Sequence, residues 1–147
     1  MSRLLALDVG SRRVGVALSD ETRTLASPLT TLANHGVRSL TVAVASLCHK
    51  HHVTAIVIGL PEDSEGRETA VAAVARDLGR RLAARGLPVT WVDEALSSSE
   101  AEAVLDAHGT SAARKRRARS SGKVDQMAAA IILERYLRSA TNEPPER

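Results

Sequence analysis

The chain has 147 residues with one cysteine, one tryptophan, one tyrosine and no phenylalanine, and it carries a formal net charge of +3. That length suits one domain burying roughly two thirds of its unfolded surface, and so few rings exclude folds that read nucleic acid by stacking bases on aromatic platforms. A single Cys48 excludes an internal disulfide and suits a reducing compartment, and no segment is both long and apolar enough to span a bilayer, so the expected setting is cytoplasmic, with no membrane partner.

In chain order, Leu4 to Asp8 reads as a first strand. Leu4, Leu5, Ala6 and Leu7 leave it no polar face, the pattern of a central strand covered on both sides, so Asp8 stands where a carboxylate is expensive. A turn through Gly10, Arg12 and Arg13 leads to an antiparallel neighbour, Val14 to Ser19. Val14, Val16 and Leu18 take one of its faces and Gly15, Ala17 and Ser19 the other, a face small enough for a helix or a backbone to approach closely. Leu25 to Leu32 is a third strand, placed at a sheet edge because Pro28 cannot donate to a ladder.

Apolar residues at Leu40, Ala43, Val44 and Leu47 predict a helix over Ser39 to His49. Val53 to Ile58 is a buried strand that runs out in Gly59, Leu60 and Pro61. Thr69 to Ala84 is a helix with Val71, Val74, Ala75, Leu78 and Leu82 on its buried stripe. Val89 to Asp93 is the next strand, Ser98 to His108 a helix with Glu100 in its first turn, and Gly109 to Gly122 a surface loop without apolar periodicity. Lys123 to Arg138 is the last helix, followed by a frayed tail.

Three strands in meander followed by alternating helices and strands imply an α/β fold, a mixed sheet with helices on both faces, as one domain over residues 1–139 with a disordered tail over 140–147. Ligands in such sheets gather where buried strands end, which marks Asp8, Gly59 with Pro61, and Asp93 with Glu94. Asp93 and Glu94 point to opposite faces, so at most one of them joins Asp8. Asp125 shares a helix face with Ala128, Ala129, Ile132 and Tyr136, on the apolar stripe rather than among Glu134, Arg135 and Arg138.

Each acid alone has a plain alternative: a turn cap for Asp8, a solvated pair for Asp93 and Glu94, a helix-dipole partner for Asp125. Taken together, oxygen ligands from two strand ends and one closely packed helix suit Mg²⁺ or Mn²⁺, and two such ions would serve phosphodiester hydrolysis. Gly10 and Gly15, having no side chains, would let a phosphate or metal come near the backbone.

The positive charge is concentrated. Arg114, Lys115, Arg116, Arg117, Arg119 and Lys123 lie within ten residues that hold no acid, and the rest of the chain is net negative. Placed just before Asp125, this cluster and the Arg12–Arg13 pair are expected to grip nucleic-acid phosphates, with steep salt dependence and little sequence discrimination. "CHKHH", Cys48 to His52, has no second ligand group at zinc-finger spacing, and histidines at a helix C-terminus are favoured by its dipole.

The ordered blocks "LLALDVGSRRVGVALSD", "VIGLPEDSEG", "VDEALSSSEAE" and "KVDQMAAAIILERYL" resemble the YqgF/RuvX family of the ribonuclease H-like superfamily, described both as Holliday junction resolvases and as pre-16S rRNA nucleases. The resemblance covers about residues 3–138. It implies a five-stranded sheet in the ribonuclease H order and metal-dependent nuclease chemistry, with the family's acids falling on Asp8, Glu94 and Asp125, and with Gly59, Pro61 and Gly66 in a "GLP" loop lining the site. The chain departs from the family pattern at Ala95, where an arginine is usual, so a phosphate contact there would pass to Arg12, Arg13 or the basic loop.

The reading that follows is a nuclease acting on branched DNA or precursor rRNA. A junction resolvase needs a two-fold homodimer to make paired cuts, whereas an rRNA-processing nuclease can act as a monomer. The rivals are a non-catalytic nucleic-acid-binding module of the same fold and a phosphate-binding lobe of the sugar-kinase type, whose architecture needs roughly twice this length.

Overall fold

A computed structural model describes residues 2–60, 69–93 and 123–142. Pro61, Gly66, Glu94, Ala95, the helix expected over 98–108 and the basic loop over 109–122 lie outside those residues, as does the chain end from 143.

Strands β1 (Arg3–Val9) and β2 (Arg13–Ser19) form an antiparallel hairpin, and β3 (Ala26–Ala33) adds antiparallel to β2. After helix α1 (Val37–His51), β4 (Val53–Leu60) pairs parallel with β1. After α2 (Ala70–Ala84), β5 (Val89–Asp93) pairs parallel with β4. The five-stranded sheet has the order β3-β2-β1-β4-β5, and helix α3 (Lys123–Asn142) follows. The order puts β1 in the centre, as its unbroken apolar run requires, and β3 at an edge, where Pro28 is tolerated. Around Pro28 the β2–β3 register slips, pairing Thr30 with Val16 but Pro28 with Ala17.

Two cores lie on the two faces of the sheet. On one, Leu5, Leu7, Val9, Val14, Val16, Ile56 and Ile58 meet Leu40, Val44 and Cys48 of α1 and Ala75, Leu78 and Leu82 of α2. On the other, Leu4, Ala6, Ala17 and Val57 meet Ala129, Ile132, Leu133 and Leu137 of α3. Each fully buried leucine or isoleucine contributes about 1.5–3 kcal/mol by leaving water, so these faces supply the driving force for both layers. The small-residue side of β2 lies under α3, as its composition anticipates, while the valine side lies under α1 and α2.

The helices differ from their sequence pattern in detail, for physical reasons. In α1 the fully buried residues are Leu40, Thr41, Val44 and Cys48, so the stripe is turned one position away from Ala43 and Leu47. Thr41 is tolerated inside because its hydroxyl donates to the Val37 carbonyl at 2.6 Å. The helix begins after Gly36, at φ 109°, and ends at His52, which takes a left-handed φ of 58° with its amide bonded to the Cys48 and His49 carbonyls. Thr69 precedes α2 as its cap, accepting the Ala72 amide at 3.0 Å. The buried side of α2 takes in Ala72 and Gly79, leaving Val71 and Val74 half-buried, because Gly79 lies against the Trp91 ring. Finally, α3 runs to Asn142, four residues past the expected Arg138.

Candidate active site

The cross-strand register builds one row at a single height of the sheet: Thr31 of β3, Gly15 of β2, Asp8 of β1, Gly59 of β4 and Val92 of β5. Residues paired across strands share a face, and Leu4 and Ala6, at even steps before Asp8, pack against α3. Asp8 therefore faces α3, and the two backbones beside it carry glycine. Burial along β1 is interrupted at Asp8, between Leu7 and Val9. Asp8 itself is half-buried rather than sealed in, because its neighbours in the row have no side chains to cover it.

Helix α3 brings the second carboxylate to this row. Val124, Ala128 and Ala129 are buried under its first turns, and the helix comes so close to β2 that the Asp125 backbone fills the space where a Gly15 side chain would be. Gln126 ties the same turn to the row's end, its Nε2 donating to Thr31 Oγ1 at 2.9 Å. Asp8 and Asp125 thus flank Gly15 from two sides.

Arg13 completes the cluster. As the first residue of β2 it is two positions before Gly15, on the same strand face, and its Nε lies 3.1 Å from Asp125 Oδ2. That oxygen is closed off from solvent and accepts no hydrogen bond of proper alignment among the described residues. Burial raises the Asp125 carboxyl above its ordinary value, Arg13 opposes the shift, and the negative charge of Asp8 adds to it. Desolvation outweighs the Arg13 attraction, which reaches the carboxylate from a side chain that is itself part-exposed.

The turn that carries these residues is held from β3. The Gly10 amide donates to the Arg13 carbonyl at 2.9 Å, Asn34 donates its amide to the Arg12 carbonyl at 2.8 Å, and Asn34 Nδ2 donates to the Gly10 carbonyl at 2.9 Å. A Cβ on Gly10 would come within 2.7 Å of the Arg13 carbonyl oxygen, which explains glycine there. Arg12 is exposed, as is Lys123 at the start of α3. The structure thus gathers Asp8, Asp125, Arg13, Gly10, Gly15 and Gly59 in one region. Glu94, Pro61, Gly66, Arg114, Lys115, Arg116, Arg117 and Arg119 lie outside the described residues.

Three positioning residues escaped the sequence reading: Thr31, Asn34 and Gln126. Gln126 adjoins Asp125, a weak signal; Thr31 and Asn34 become visible only through the register of β3 with β2. Cys48 is turned into the α1 core, where burial pushes its thiol up to about 11, while His49 and His52 are exposed, so "CHKHH" does not converge on one point.

Chemically, Asp8 and Asp125 are hard oxygen donors at the end of a central strand and the first turn of a helix. The shielded Asp125 Oδ2, which has an ion pair to Arg13 but no hydrogen bond among the described residues, has the chemistry of a divalent-cation ligand. Among the described residues no three His, Cys, Asp or Glu side chains gather as a ligand set.

The chain is similar to several known proteins. The sequence model of the RuvX family, described as Holliday junction resolvase, matches residues 2–139. The chain is 41% identical over 136 residues to a protein of Anaeromyxobacter dehalogenans named "Putative pre-16S rRNA nuclease", covering 92% of this chain and 96% of that one. A protein of the same name from Syntrophus aciditrophicus is 41% identical over 142 residues, covering 96% and 91%. Among solved structures, Thermus thermophilus RuvC in complex with a Holliday junction substrate superposes with a TM-score of 0.56 at 13% identity over 97% of both chains. The Fowlpox virus resolvase with its Holliday junction DNA superposes with a TM-score of 0.57 at 10% identity, over 94% of this chain and 98% of that one. At those identities the likeness establishes the ribonuclease H-like fold.

Proposed function

This chain belongs to the RuvX family, and from that premise we propose that it is a divalent-metal-dependent nuclease hydrolysing phosphodiester bonds in structured nucleic acid. The observation that carries the reading is the convergence of Asp8 and Asp125 on the glycine-lined row, with a shielded oxygen of Asp125 that has no hydrogen bond among the described residues beside its ion pair to Arg13. Asp8 and Asp125 would hold Mg²⁺ or Mn²⁺, two ions being the expected number, with Glu94 as the third carboxylate. The assignment of Glu94 rests on the "VDE" block of the sequence. Bound there, such ions would supply activation of the attacking water and stabilisation of the leaving oxygen.

The chain's own residues do the rest. Gly15 lets α3 close on β2 and so brings Asp125 beside Asp8, while Gly59 puts no side chain on the other flank of Asp8. Arg12 and Lys123, both exposed, and the basic run of Arg114, Lys115, Arg116, Arg117 and Arg119 bind phosphates on either side of the cut, with Pro61 and Gly66 lining the approach. Precursor rRNA is the favoured substrate, because relatives 41% identical over nearly the whole chain carry that activity in their name. Branched DNA is the second reading, supported by the family description, and it requires a two-fold dimer for paired cuts.

A cleavage panel with Mn²⁺ tests this, comparing a 5′-extended 16S rRNA precursor, a four-way junction, duplex DNA and single-stranded RNA, each also against Asp125→Asn. The expected result is fastest cleavage of the rRNA precursor, lost in the variant. Salt-sensitive binding without cleavage of any substrate would instead make the chain a non-catalytic binding module.

A further inference from the structure

Two adjacent arginines leave the β1–β2 turn in different directions. Arg12 is exposed, while Arg13 lies along the α3 face of β2 with Nε 3.1 Å from Asp125 Oδ2. We propose that Arg13 is a built-in counter-ion that occupies the charge position of a divalent cation beside Asp125 and competes with that cation for the carboxylate. The proposal rests on the metal-site reading above and adds to it a residue that tunes how tightly the site takes metal.

The geometry supports competition rather than simple bridging. Oδ2 is closed off from solvent, so a cation reaching that oxygen must enter the space Arg13 borders. A guanidinium stays charged at any ordinary pH, so it cannot relieve the conflict by losing a proton; it has to shift or tolerate repulsion from the ion. In the metal-free protein the same charge offsets the repulsion between Asp8 and Asp125, which flank Gly15 with no side chain between them. Arg13 therefore holds the acidic cluster together while empty and weakens its hold on metal, two effects of one charge that are thermodynamically linked. Gln126 and Thr31 keep the first turn of α3 in place during the exchange, so the carboxylate stays presented when the guanidinium yields.

The test measures Mn²⁺ binding to the full chain by the electron paramagnetic resonance of free Mn²⁺, together with the urea midpoint of the metal-free protein. The comparison is between wild type, Arg13→Gln, Arg13→Lys and Asp125→Asn. Arg13→Gln should bind Mn²⁺ tighter by about fivefold or more, the lower end of common coupling between two ligands. It should unfold at lower urea without metal and regain wild-type resistance when Mn²⁺ saturates it. Arg13→Lys, which keeps the charge, should stay near wild type in both, and it carries the test if Arg13→Gln does not fold. Unchanged or weaker Mn²⁺ binding by Arg13→Gln, or tighter binding by Arg13→Lys, overturns the proposal. If wild type binds Mn²⁺ and Asp125→Asn does not, either of those outcomes leaves the metal site standing; if wild type does not bind Mn²⁺, the metal-site reading falls together with the proposal.

Discussion

Gly15 and Asp125 face each other with no room for a side chain between them: a Cβ on Gly15 would overlap the Asp125 carbonyl and come within 2.9 Å of the Asp125 Cβ. Because Gly15 is also the cross-strand partner of Asp8, this single close approach lets a carboxylate from the last helix join one from the first strand. Gly15→Ala must push α3 off β2. Backbone cannot yield as a flexible side chain would, so the variant should lose about 1–3 kcal/mol of stability, read by urea unfolding. Its cleavage rate should fall even where the variant remains folded. An alanine variant as stable and active as wild type would mean that α3 sits differently.

The pH dependence of stability should carry the signature of Asp125. Its carboxyl is raised above the ordinary 3.8 by burial and by Asp8, against the pull of Arg13. A carboxyl with a raised folded value imposes a cost that is fully present above that value and disappears as pH falls below 3.8. Asp125→Asn should therefore gain stability relative to wild type at neutral pH, and the gap should close on acidification through the raised value. Urea midpoints of both proteins between pH 7 and 4 check this, and a gap that widens toward acid would contradict it.

Asp20 behaves in the opposite sense. Its Oδ1 accepts the amides of Thr24 at 2.8 Å and Leu25 at 3.0 Å, its Oδ2 accepts the Thr22 hydroxyl, and these bonds hold its carboxyl well below the usual range. The stabilisation it gives the β2–β3 connection is present above 3.8 and lost as pH falls toward the depressed folded value. Asp20→Ala should speed hydrogen exchange at the Thr24 and Leu25 amides while leaving β1 and β4 protected. Unchanged exchange would show that the turn holds without the carboxylate.

Binding to nucleic acid should be dominated by charge. Replacing Arg114, Lys115, Arg116 and Arg117 by Gln should weaken binding of structured RNA and of DNA alike, and on duplex it should flatten the plot of log affinity against log salt by about one unit for each phosphate no longer neutralised. Fluorescence anisotropy across a salt series reads both. A slope unchanged from wild type would remove the basic run from the interface.

Much of this arrangement was legible in the residues. The unbroken apolar run of Leu4 to Leu7 announces a central strand, Pro28 an edge, and the small face of β2 the close helix that covers it. Asp125 stands out because it lies on the apolar stripe of its own helix. What periodicity could not show is the register: that Asp8 lies level with Gly15 and Gly59 depends on hydrogen bonds between strands distant in sequence. Nor could it separate Arg12 from Arg13, because a difference in burial between neighbours at a turn is set by where α3 docks. The rotation of α1 toward Thr41 and Cys48 likewise follows from a hydroxyl satisfied inside its own helix, which hydrophobicity alone does not register.

On the proposed function, Asp8 and Asp125 together would hold the divalent metal needed to hydrolyse a phosphodiester bond. This is tested most directly by single-turnover cleavage of the best substrate from the Mn²⁺ panel, with wild type, Asp8→Asn and Asp125→Asn at matched occupancy. Both variants should bind the substrate with near wild-type affinity and cut it no faster than the uncatalysed background. Cleavage by Asp8→Asn at the wild-type rate would contradict it.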